Sequence, residues 1–195
     1  MRIPMLFVCR VLGCCLLAAA PTCTFCQAAA PAKPAVGTVQ TPAAVYGKLL
    51  SLIEKEFVGA AEAMPEDKYD FAPPATMGDF KGVRTFGDQV KHVTESNYYF
   101  FNTTGMSEAD MKVKGEAIAK LKTKAEIVQA LKDSLTQAHA YVDGITPENA
   151  FVMTASGTRG GMSSFGIAHM FDHYGQMVVY LRMNGIIPPA SRQGM

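Results

Sequence analysis

Past residue 26 the chain has no cysteine; all five, Cys9, Cys14, Cys15, Cys23 and Cys26, fall in the opening stretch. Removal of that stretch excludes disulfides, thiolate metal ligands and a cysteine nucleophile together, leaving imidazole, carboxylate and hydroxyl chemistry. An excess of charge of either sign is also missing. There are 18 Lys and Arg against 17 Asp and Glu, a net charge of +1; without Arg2 and Arg10 it becomes −1. So balanced a chain has no field to attract nucleic acid or an anionic membrane surface. Long apolar runs are lacking too. The run from Val11 to Ala20, ended by Pro21, is too short to span a bilayer.

That run instead reads as part of an export signal over residues 1–30. Arg2 and Arg10 supply the positive charge, and Cys26-Gln27-Ala28 or Ala28-Ala29-Ala30 offers small residues for cleavage. The expected location is therefore periplasmic or secreted, with no stable membrane anchor after cleavage. Residues 31–40 hold prolines and little to bury, and read as a flexible spacer. Residues 41–190 are expected to form one domain with a single core.

Helical spacing dominates that domain. A first helix is predicted from about Thr41 to Met64, with Tyr46, Leu49, Leu50, Ile53, Phe57, Ala60, Ala61 and Met64 on one apolar face. A second runs from about Thr85 to Asn102, with Thr85 as N-cap and Asp88 three residues on. A short helix is expected between Ser107 and Lys120, a long one from Thr123 to Val142, and a last one from Ser163 to Met183. The segment from Phe151 to Ser164 is expected to be the loop into the last helix, with a short extended piece as the alternative. With no run of alternating strand residues, the fold class is all-α, a four-helix bundle.

Three of the four histidines fall on two of these helices. At roughly 100° per residue, His169, His173, Gln176 and Tyr180 form one stripe of the last helix. Asp88, His92, Ser96 and Tyr99 form another on the second. If the two stripes face each other, one divalent metal takes His92, His169 and His173 and keeps a position open for water or substrate. Three imidazoles suit zinc, nickel, copper or iron better than magnesium or calcium. Gln176, one turn past His173, is expected to hydrogen-bond a ligand or the bound water. His139 reads as a boundary residue, Glu56 as a glutamate at the core edge, and Asp172 as orienting an imidazole or facing water. No residue stands out as a general base, so the catalytic residues are unknown at this level.

The stretch "AHMFDHYGQMVVYLRMNGIIPP" resembles the signature of the DinB/YfiT-like metalloenzymes, through His169, His173, Gly175, Gln176, Arg182, Gly185 and Pro188. "FGDQVKHVTESNYYF" is similar to the family's second-helix segment and places His92 at its first histidine. The resemblance implies a DinB-type bundle with one divalent transition metal, zinc or nickel, on His92, His169 and His173, and commonly a homodimer. It also implies a metal-dependent hydrolase or a transferase using a low-molecular-weight thiol on a small-molecule substrate. Tyr174 departs from the arginine common at that position. Export also matters, because reduced thiols are scarce in oxidising compartments. The alternative is a non-catalytic bundle in which the metal fastens the helices or a pocket holds a small molecule.

Overall fold

The computed structural model describes residues 33–102 and 105–192. The expected export signal lies outside the described residues. The chain divides into two units, Met1–Thr38 and Val39–Met195. Of the first, residues 33–38 are described, and they hold a turn closed by Thr38 N–H donating to Ala35 O. All elements below belong to the second unit.

Five α-helices account for most of that unit: α1 (Pro42–Ala63), α2 (Phe86–Phe100), α3 (Glu108–Ala119), α4 (Lys124–Asp143) and α5 (Arg159–Met183). Each starts behind a hydroxyl residue. Thr41, Thr85, Ser107, Thr123 and Thr158 each accept from a backbone N–H three residues on. Such a cap satisfies a donor that the helix cannot, at about 1 kcal/mol. At Ser107 and Thr123 the third helical residue, Asp110 or Glu126, reaches back to close a capping box.

The long helices pack in a cycle. α1 lies against α4 and α5, and α2 against the same two, so the order around the bundle is α1, α4, α2, α5. The core fills the centre with Leu50, Ile53, Phe57, Val90, Leu131 and Leu135, all fully buried. The anticipated face of α1 holds with one exception: Leu49 is 41 % exposed. It lies on the solvent side of α1, just past the arc covered by α4 and α5. α3 stands outside the cycle and rests on α2, burying only Gly115 and Ile118.

One boundary differs from the sequence expectation, the start of α5. Within the expected loop, Met153–Thr154 and Gly157–Thr158 pair as a two-residue antiparallel hairpin, β1 and β2. α5 then begins at Arg159 rather than Ser163. Its first turns, Gly160, Gly161, Ser163 and Ser164, are poor helix formers, which conceals the start. Packing explains them: a Cβ on Gly160 would stand 2.9 Å from both Phe151 and Tyr46, and one on Gly166 2.7 Å from Phe101. Close approach of α5 to its neighbours outweighs the propensity cost of glycine, about 1 kcal/mol per residue. Among the described residues no helix is long and apolar enough to cross a membrane.

Candidate metal centre

The seam between α2 and α5 brings the three predicted histidines together. Their possible ligand atoms all lie within 4.8 Å of one another. His169 Nε2 is 3.2 Å from His92 Nε2 and 3.2 Å from His173 Nε2. Metal–nitrogen bonds of 2.0–2.1 Å at tetrahedral angles space their nitrogens about 3.3 Å apart. His169 Nε2 thus stands from each of the other two nitrogens at the spacing of neighbouring corners of a coordination tetrahedron, and all three lie within 4.8 Å.

Protonation supports the same fit. Asp172, an acceptor only, takes a hydrogen bond from Gln176 Nε2 at 3.1 Å. This orients Gln176 so that its Oε1 accepts from Gln89 Nε2 at 2.8 Å. Gln89 Oε1 must then accept from His173 Nδ1–H, at 2.6 Å. With its proton on Nδ1, neutral His173 presents a bare lone pair at Nε2, the form a metal requires. The carboxylate at one end thereby sets the tautomer at the other. Hydrogen bonding among the imidazoles does not account for the cluster. One proton satisfies one of the two 3.2 Å contacts and leaves the other without a donor. His169 Nδ1 is buried and has no partner among the described residues.

The imidazoles are held neutral. Burial first, then the His169, His92 and Arg84 charges, push His173 down from 6.5 to about 4, against an opposing pull from Asp172. His92 is lowered by burial and Arg84, and His169 by burial, His92 and Arg84, with Asp172 opposing. The linkage sign follows for the metal-free protein. Between pH 6.5 and about 4 the unfolded chain binds more protons at His173 than the folded one, so stability is full above the unfolded value and falls with pH across that window. The urea midpoint of chelator-stripped protein should therefore drop from pH 6.5 to 4, and less steeply in His173→Gln. A midpoint indifferent to pH over that range would contradict the burial of a neutral ring.

The neighbours of the triad refine the expectation for Gln176. Among the described residues Gln176 makes no hydrogen bond to an imidazole; Gln89, absent from the sequence reading, bonds both it and His173. Its one available signal was an amide three residues before His92, on the same helix. Asp172 is exposed, as one of its two expected readings has it, and from there its carboxylate also accepts from the Gln176 amide. Tyr180 is buried and donates to Arg84 O at 3.1 Å, away from the metal stripe. Glu56 is outside the cluster, in a separate recess beside Leu52, Gly59 and Pro189. His139 is the expected boundary residue, its Nε2 donating to Glu54 Oε2 at 2.6 Å.

His92 also faces outward. It lines a cleft of about 490 Å³ between α2 and α3, with Tyr98, Tyr99, Met111 and Lys112 among the walls. Against α2, a Cβ on Gly115 would lie 2.4 Å from Glu95 Oε1, so the glycine makes room for that carboxylate beside the cleft. An ion on the triad would thus border a space large enough for a small molecule, unlike the closed surroundings of a structural site.

A model described as the DinB superfamily matches residues 49–177, which include His92, His169, His173 and the two glutamines. No curated protein matches the chain. With a helical bundle, three histidines on two facing helices and a family match over more than half its length, the chain belongs to the DinB superfamily.

Proposed function

We propose that the protein binds one divalent transition metal, zinc or nickel, through Nε2 of His92, His169 and His173, and works as a metal-dependent hydrolase or thiol-dependent transferase. The observation that carries this reading is the convergence of the three imidazoles within 4.8 Å, with His169 Nε2 3.2 Å from each of the other two, beside a cleft open to small molecules. A bound divalent ion supplies a water or thiol of lowered pKa, a nucleophile near neutral pH without any cysteine from the domain. The protein's own residues prepare the place. Gln89 keeps the His173 proton on Nδ1, Asp172 fixes the amide chain behind it, and burial with the Arg84 charge keeps all three rings unprotonated.

The remaining parts of the proposal come from sequence. Export of the chain, with residues 1–30 removed, places the reaction in the periplasm or outside the cell, where a hydrolytic nucleophile is easier to supply than a reduced thiol. A small-molecule substrate fits the cleft, and a homodimer is the expected assembly. The test is elemental analysis of the purified protein followed by ester, amide and thiol-transfer assays with and without added low-molecular-weight thiols. One equivalent of metal per chain and a chelator-sensitive activity are expected. Protein that holds no metal after incubation with zinc or nickel salts sinks the reading.

A further inference from the structure

A second cleft, of about 260 Å³, opens beside the first and is lined by Tyr99, Phe100, Tyr141, Ser156 and Arg159 among others. Among the described residues that line it, Arg159 is the one with a charge. The guanidinium carbon lies 5.3 Å from the centre of the Tyr141 ring. Such stacking uses the face of the guanidinium and leaves its fork of N–H donors free at the edge. Its Nη1 is also 3.5 Å from where a Cβ on Gly144 would stand, so the end of α4 helps to hold it in place. Among the described residues Arg159 makes no ion pair. A positioned, uncompensated guanidinium among hydroxyls suits an oxyanion, carboxylate or phosphate, better than a neutral or cationic group.

The two clefts meet at Tyr99, which lines both. Phe100, in the second, packs on the His169 ring at 5.4 Å. Along α5 the ten residues from Arg159 to His169 span about 15 Å at 1.5 Å per residue. Building on the metal reading above, we infer that Arg159 holds the terminal oxyanion of an elongated ligand whose opposite end reaches the three histidines across Tyr99 and Phe100. The substrate class is thus a molecule with a metal-seeking or hydrolysable head, an apolar or aromatic middle and an anionic tail.

The test uses the cobalt-loaded full chain and follows the thiolate-to-cobalt absorption band while ω-mercapto compounds are added. The series is mercaptoacetate, mercaptohexanoate and mercaptoundecanoate, with mercaptoundecanol as the uncharged control and mercaptoundecylphosphonate to distinguish the two oxyanions. The His169→Ala chain supplies the background from the five cysteines before residue 27. Mercaptoundecanoate or the phosphonate should bind about tenfold tighter than mercaptoundecanol. Arg159→Gln should erase that preference while leaving mercaptoacetate binding unchanged, and Arg159→Lys should keep part of it. Equal binding of charged and uncharged long thiols, or a preference that survives Arg159→Gln, overturns the inference. A chain that takes up no cobalt overturns the metal reading as well, whereas one that takes up cobalt and responds to no thiol overturns the inference alone.

Discussion

Replacing His169 by alanine should lower bound metal at least tenfold, with little change in the fold. His169 Nε2 is the shared corner of the site, 3.2 Å from both of the other ligand nitrogens. Its loss leaves His92 and His173 on different helices without the corner between them. The expected drop is the tenfold or more seen when a ligand or its support is lost. The helix should tolerate the change, because alanine is the best helix former and residue 169 lies at the edge of the buried face of α5. Metal-to-protein ratio by elemental analysis is the direct measure, with far-ultraviolet circular dichroism as the control. The site is falsified if the variant keeps its full metal content.

Replacing Gln89 by leucine should weaken metal binding by about 10- to 100-fold although no ligand is touched. Gln89 is 2 % exposed and fixes the proton of His173 on Nδ1. Leucine has a similar volume and lacks both polar atoms. It would leave the His173 Nδ1–H without an acceptor and Gln176 Oε1 without its donor, so the ring would be free to turn or to move its proton to Nε2. Glutamate at the same place keeps an acceptor for Nδ1–H, and its charge favours the proton there. Gln89→Glu should accordingly retain metal where Gln89→Leu does not. Titration against a competing chelator would measure both. Equal affinities of Gln89→Leu and the native chain would show that the amide pair is packing rather than support.

Much of this site was legible before any coordinate. The spacing of His169 and His173, one turn apart, and the polar stripe around His92 suffice to nominate the ligands, because an α-helix repeats its faces every three to four residues. Helix starts were legible where a hydroxyl cap precedes an apolar pattern, as at Thr85. They were concealed at α5, where glycines chosen for contact with Phe151, Tyr46 and Phe101 look like loop.

The support of the ligands was not legible, and the reason is geometric. Periodicity places Gln176 on the stripe of His173 but contains no information about how far α2 is shifted along α5. That shift decides which amide meets the imidazole. In the bundle α2 is set so that Gln89 reaches His173 first and Gln176 is one step removed. The same holds for the clefts, which depend on α3 resting on α2 and on the hairpin standing beside α5.

By itself, then, the sequence determined the helices, the three imidazoles and the lack of thiol chemistry in the domain, because each follows from residue type and local repeat. The tertiary structure alone decided the order α1, α4, α2, α5, the Asp172–Gln176–Gln89–His173 chain and the open side at His92. Those depend on the relative shift and rotation of helices far apart in the chain, which are set by how whole faces pack and not by the periodicity of any one of them.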